Sequence, residues 1–526
     1  MNTPAARPQV RDDVAAGVHR GSTLMPPWRV GELPPPPVWT PRHWRGIIGP
    51  GLIMAGAAVG GGEWLLGPRV GAQYGGALLW VATLSLACQF VYNVEASRYT
   101  LYTGESILTG AFRTRPGPRL WFWLYLLLDF GALLPYQTAS VATPIAAIYL
   151  AHIPNPSDPV EASLLRTLTY VMLALALLPL VFGGKVYNAI RILMTTKIVV
   201  VFGFLAFLAI VYSSWATWAD ILTGLLRFGT LPAADSGTVN VFASLWHDGR
   251  LPEIDRDAIA ILTAFAAIAG VGGLQQTSIS NYTREQGWGM GGQVGAIPSL
   301  VGGRRLRLFH GGTVFQPGPE AQTRWAGWLH HVRRDQLAIW LPAAIIGLAL
   351  PTMLSIEFLP RGTQANQWVL AGMTADGIAA RIGGTFGAVA WYLVLLCGFL
   401  VLFPSSVTAA DGFLRRWLDV GWTGLPLLRR MDPHHIRYVY FAALVVYFIV
   451  GLVFLSIAQP LALIILYGNL GNFALGVSCF HTIHVNRTLL PPELQPGPLP
   501  KIGLALAGMY YLVMAGVTGG IVVGIL

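Results

Sequence analysis

The chain has 526 residues, of which 54% are hydrophobic and only 11% charged, with a mean hydropathy of +0.57; soluble domains carry roughly 25% charged residues. This composition excludes a soluble globular protein and places most of the chain in lipid. The net charge of +10, from 34 Lys and Arg against 24 Asp and Glu, raises a nucleic-acid reading that the placement of the charges then removes.

In chain order, residues 1–45 are polar, Arg-bearing and proline-rich (Pro34 to Pro37) and read as a disordered cytoplasmic tail with no cleavable leader pattern. Apolar runs able to cross a ~30 Å hydrocarbon layer, about 20 residues each, follow near 46–69, 76–99, 120–150, 167–184, 188–213, 257–283, 335–356, 384–410, 437–457, 459–482 and 502–524. They predict eleven helices. The basic residues, from Arg98 through Arg119, Lys185 and Arg191, Arg284 through Arg334, Arg415 through Arg437, and Arg487 with Lys501, all fall on one side of that count, the side of Arg42 and Arg45. By the positive-inside rule the N-terminus is cytoplasmic and the chain is a multi-pass protein of the cell (inner) membrane. The charge is therefore topology, and no nucleic acid is expected as a partner. Cys88, Cys397 and Cys479 lie inside apolar runs and offer neither a disulfide framework nor metal-ligand spacing.

Two of the runs are interrupted. The first carries Gly60-Gly61-Gly62-Glu63 near its middle, and the sixth carries Gly270-Val271-Gly272-Gly273-Leu274-Gln275-Gln276-Thr277. Each glycine costs up to about 1 kcal/mol in a helix, and a mid-membrane break is tolerated only where protein covers it or it lines a wet cavity. Glycine also serves plain helix packing, so either cluster alone says little. Two clusters five helices apart, each with polar neighbours, are what an inverted repeat produces when substrate is held at paired breaks near the midplane. The domain reading is a first five-helix repeat over 46–213, an extracellular insert over 214–256, a second repeat over 257–482 carrying a cytoplasmic insert at 284–334, and a linker with an eleventh helix over 483–526. Trp215, Trp218 and Trp246 suit the first insert to capping a vestibule. The second, running through Arg304-Arg305-Leu306-Arg307 and Trp328 to Arg334, suits an interfacial helix or a solvated loop.

Gly49-Pro50-Gly51-Leu52 through Gly71-Ala72-Gln73-Tyr74-Gly75, with Leu78-Leu79-Trp80, Arg98, Thr103-Gly104, Ser405-Ser406 and Asn486-Arg487, resembles the Nramp (natural resistance-associated macrophage protein) family of proton-coupled divalent-metal transporters. The resemblance is dense only over about 49–119. It implies an all-α membrane protein of the leucine-transporter type: an inverted repeat of five plus five helices, one extra C-terminal helix, and discontinuous helices one and six. It also exposes departures. The family's Asp-Pro-Gly-Asn falls on Gly60-Gly61-Gly62-Glu63 and its Met-Pro-His on Leu274-Gln275-Gln276, so the metal-binding aspartate is a glycine and no soft ligand stands at either break. Where the family places proton-exit carboxylates in its third helix, this chain has Leu134 and Gln137, with Asp129 off register. The eleven histidines sit in tails, loops or helix ends such as His434, His435, His481 and His484.

The expected substrate site is therefore Gly60, Gly61, Gly62, Glu63, Leu274, Gln275, Gln276 and Thr277, with Asn469 and Asn472 from the tenth helix. Exposed backbone N–H groups and neutral amides suit a small polar organic solute. Glu63 would then carry the coupling proton or face a cationic group, and Glu63→Gln should abolish uptake with little loss of stability. An oxygen-only site for a hard, magnesium-like cation is the alternative, with Glu63 the metal ligand if there is one. A non-transporting sensor or scaffold of the same fold is the second alternative. No cofactor is expected. An enzyme is not expected either, since the chain has no His-Glu-x-x-His, phosphate-binding loop or nucleophile elbow.

Overall fold

The computed structural model describes residues 24–37, 49–182, 186–233, 237–250, 252–298, 307–363, 372–457 and 460–523. Arg42, Arg45, Lys185 and Arg304 to Leu306 lie outside the described residues, as does most of the N-terminal tail.

The chain is an all-α membrane protein. Among the described residues eight helices are long and apolar enough to cross a membrane singly: Pro159–Val181, Val186–Tyr212, Ala258–Glu285, Pro319–Phe358, Gly384–Gly424, Pro433–Ile457, Ala462–Leu489 and Pro498–Ile521. We number these spans four to eleven. Spans one (Pro50–Tyr74) and two (Trp80–Thr103) precede them; Pro50–Leu78 and Trp80–Thr103 meet at 93° and pass the same test only together. Span three is two short helices, Pro118–Leu128 and Tyr136–Leu150. The outer surface keeps large apolar side chains exposed, Trp123, Leu127, Ile192 and Leu506 among them, as expected where lipid rather than water is the solvent.

Spans one and six are discontinuous. Span one runs as Pro50–Ala58, breaks over 59–61, and resumes as a π-helical turn Gly62–Leu66 that continues into Gly67–Tyr74. Its first half-helix is capped by a distant carboxylate: the Asp335 oxygens of span seven accept from the Gly49 and Gly51 N–H groups at 3.3 and 2.7 Å, satisfying donors that have no intrahelical partner. Span six breaks after Ile268 and resumes as a 3₁₀ turn, Gly273–Thr277, before Ser278–Glu285. Gly270, Gly272 and Gly273 there have φ of +90°, +74° and +53°, a region that side-chain-bearing residues rarely adopt.

Three features depart from the sequence reading. Residues 24–37 are not a disordered tail: Met25, Trp28 and Leu33 are buried, and Arg29–Val30 pairs in parallel with Thr313–Val314. The run Trp328 to Arg334 belongs neither to a loop nor to a separate interfacial helix; it ends a helix, Pro319–Asp335, that passes through a π turn directly into Leu341–Phe358. Span three carries a break of its own between Leu128 and Tyr136, where Gly131 and Pro135 interrupt the apolar run. The 214–256 insert forms helices Trp215–Gly224 and Val241–His247 with a hairpin of Thr230–Pro232 and Thr238–Asn240 between them. It docks on the turn between spans one and two, where Asp220 accepts from the Gly76 N–H at 2.8 Å.

Candidate functional site

The two breaks meet through Glu63. One carboxylate oxygen accepts from the Gly60 N–H of its own break at 3.0 Å, and the other from the Gly270 N–H of span six at 2.7 Å. Glu63 is fully buried, and its carboxyl group ties the interruptions together, satisfying the Gly270 N–H and sharing the Gly60 N–H with the Ala58 carbonyl at 2.9 Å. The glycines permit the approach. A Cβ on Gly61 would stand 2.3 Å from the Tyr136 ring, and one on Gly62 2.4 Å from the Ile268 carbonyl oxygen; Gly60 lies against Gln137 and Ser405. The remaining backbone of the span-six break is held by Gln89 of span two, which donates to the Ala269 carbonyl at 2.6 Å and accepts from the Val271 N–H at 3.1 Å.

Beside this junction lies a cavity walled by the breaks of spans one, three and six and by spans eight, nine and ten. Tyr136, Gln137, Gln275, Ser405, Thr408 and Tyr467 are among its polar and aromatic groups, and among the described residues no charged side chain lines it. Gln137 donates to the Tyr136 hydroxyl at 3.2 Å, while its buried side-chain oxygen has no hydrogen-bond partner. Gln275 is held from both ends: it donates to the Thr408 carbonyl at 3.0 Å and accepts from Arg416 at 2.6 Å. Arg416 is in turn bound by Asp129 at the start of the span-three break, at 2.9 to 3.2 Å through several contacts, and both partners are buried.

Of the sequence-predicted site residues, Gln275 lines the cavity, and Gly60, Gly61, Gly62 and Glu63 form the junction beside it. The others are engaged elsewhere. Gln276 donates to Asn93, Thr277 to the Leu274 carbonyl, and Asn472 to the Thr263 carbonyl; Asn469 accepts from Thr263 and Thr518; Leu274 is buried in the core. Sequence reasoning missed Tyr136, Tyr467 and the Asp129–Arg416 pair, and it treated Gln137 only as a missing carboxylate. It also missed Lys197, a fully buried lysine in span five. The signal was available there, since an ionisable group deep within a long apolar run is a functional residue by default. Among the described residues no three His, Cys, Asp or Glu side chains converge as a metal-binding group.

The architecture matches solved structures across nearly its whole length. The manganese transporter of Eremococcus coleocola, crystallised with an aromatic bis-isothiourea compound, superposes with a TM-score of 0.56 over 96% of this chain and 90% of that one, at 14% identity. A single-residue variant of the same transporter gives 0.55 over 94% and 89%, at 15% identity. The fold is that of the leucine-transporter class. Within that fold the discontinuous spans one and six are the first helices of the two repeats, and their meeting point at Glu63 lies where the repeats face each other. No protein-family profile matches the chain. In sequence it is 35% identical over 101 residues to an uncharacterized protein of Pasteurella multocida (strain Pm70), a stretch that covers 19% of this chain and 22% of that protein.

Proposed function

We propose that the chain is a secondary transporter that moves a small polar organic solute by alternating access, with the solute held in the cavity beside the junction of the breaks. The observation that carries this reading is the cavity's lining: amides, hydroxyls and aromatic rings, no charged side chain among the described residues, and a buried Gln137 oxygen without a partner. A buried acceptor left unpaired is costly and calls for a donor, which an N–H or O–H of an organic solute supplies. A divalent cation would need several oxygen ligands, usually with carboxylates among them. The carboxylates nearest the cavity are already occupied, Glu63 by two backbone N–H groups and Asp129 by Arg416 and Trp417. The neighbouring fold of a manganese transporter supports the transport mechanism and leaves the cargo to the residues of this site.

The test is thermal stabilisation of the purified protein by a panel of amino acids, small amides and polyols, set beside magnesium and manganese chlorides. A stabilising organic solute whose effect is weakened in Gln137→Ala is expected. Micromolar stabilisation by either metal that disappears in Glu63→Ala would overturn the reading in favour of a metal transporter. Failure of the whole panel would favour a sensor or scaffold that has kept the fold.

A further inference from the structure

Helix Trp215–Gly224 of the 214–256 insert has a buried face and, opposite it, an exposed apolar one. Thr217, Ile221 and Gly224 are buried. Their spacing of four and three residues makes them the stripe by which the helix packs on the protein. Thr217 donates to Glu357 of span seven at 2.5 Å, and Gly224 lies against the Gly76 backbone. Trp215, Ala219, Leu222 and, just past the helix end, Leu226 recur at spacings of four, three and four. With 3.6 residues per turn that places them on the far side from the buried stripe. Trp215, Leu222 and Leu226 are 88%, 59% and 67% exposed. The insert's second helix, Val241–His247, has no buried residue, and its Phe242 and Trp246, with Leu245 between them, are 66% and 86% exposed. A helix of this length is marginal in water on its own, and large apolar side chains left in water forgo the free energy of burial.

The docking of the insert fixes its depth. Trp80, at the head of span two, donates to the Thr230 carbonyl at 2.8 Å and meets Phe228 edge-on with ring centroids 6.0 Å apart, while Asp220 holds the Gly76 N–H in the turn before it. The insert starts just after span five ends at Tyr212 and runs to Arg256, where the first helix of span six begins. It therefore lies level with the ends of spans one, two, five and six, at the edge of the apolar belt. The exposed side of span five leads to it: Phe207 and Val211 are exposed, and Trp215 follows at the same interval of four. Tryptophan among apolar neighbours at that level is the composition of the membrane–water border, where short amphipathic helices lie with the apolar side toward the acyl chains.

We infer that the insert is a lipid anchor, with the Trp215 to Leu226 stripe and the Phe242, Leu245 and Trp246 face seated in the bilayer surface on their side of the membrane. Over 214–256 there are three Arg and no Lys against five Asp and Glu. The partner surface is therefore the apolar border of zwitterionic lipid, and contact does not depend on anionic headgroups. Because the same insert grips the turn between spans one and two through Asp220 and span seven through Glu357, its seat in lipid holds the ends of three spans in place against the bilayer.

The test places a single cysteine in the full chain by Leu222→Cys, Trp246→Cys or His247→Cys, the last being exposed on the other side of its helix. Each is labelled with a polarity-sensitive maleimide fluorophore and reconstituted in phosphatidylcholine nanodiscs with and without lipid brominated in the upper acyl chain. Cys88, Cys397 and Cys479 are buried, and the parent chain is the control for background labelling. Labels at 222 and 246 are expected to emit at shorter wavelength and to be quenched by brominated lipid, in low and high salt alike, and the label at 247 to emit as in water with little quenching. Water-like, unquenched emission at 222 and 246 would overturn the inference. Short-wavelength emission without quenching there would mean that protein, a second copy included, covers the face, and would overturn it too.

Discussion

Glu63→Gln tests how the two interruptions are joined. The sequence reading expects this change to spare stability, since glutamine keeps the shape and removes only the charge. The structure predicts otherwise. The glutamate offers an acceptor oxygen to each of two N–H groups, Gly60 at 3.0 Å and Gly270 at 2.7 Å. The glutamine amide has one acceptor and one donor end, so one backbone N–H must face an NH₂ group in a fully buried place. Orphaning a buried donor costs about 1–3 kcal/mol. The melting temperature should fall clearly, and uptake should be lost because the breaks are no longer tied. Glu63→Asp, one methylene shorter, should keep one of the two bonds and fall between. The assay is thermal melting followed by uptake in proteoliposomes. A Glu63→Gln protein that melts with the parent and transports normally would refute the bridging role.

Asp129→Asn should cost about 3–5 kcal/mol, the usual penalty for leaving one member of a buried ion pair uncompensated, because Arg416 would keep its charge with a neutral partner; thermal melting checks it, and adding Arg416→Met should restore part of the loss. Gly61→Ala should displace the Tyr136 ring, which its Cβ would approach to 2.3 Å, and lower both stability and solute binding in the same melting assay. Gln137→Ala removes the unpaired acceptor and should raise the KM for the solute by about 3- to 10-fold, the worth of one neutral hydrogen bond, with the melting temperature of the unliganded protein nearly unchanged. Cysteines introduced at exposed positions of 284–334 should react with impermeant reagents only from the cytoplasmic side; labelling from outside would reverse the proposed topology.

The paired breaks were legible because glycine clusters inside apolar runs have few innocent explanations when they recur five helices apart. Their chemistry was less so. Glu63 could be singled out from burial alone, yet nothing in the sequence says that its two oxygens reach the N–H groups of residues 60 and 270. The break in span three was signalled by Gly131 and Pro135, but a proline is common in membrane helices and does not by itself fix where a helix stops. The Asp129–Arg416 pair joins residues far apart in the chain, and no local pattern announces such a contact. Residues 24–37 were misread because a proline-rich stretch carries little helical or strand signal, and the partner that Arg29–Val30 pairs with, Thr313–Val314, lies far along the chain.

The central claim is that the cavity beside the junction carries an organic solute by alternating access. The most direct measurement is accumulation in proteoliposomes of labelled amino acids, amides and polyols, run in parallel with labelled manganese. The account predicts accumulation of an organic solute that is reduced in Gln137→Ala and abolished in Glu63→Gln, with manganese at background. Manganese accumulating in a Glu63-dependent manner, while no organic solute does, would contradict it.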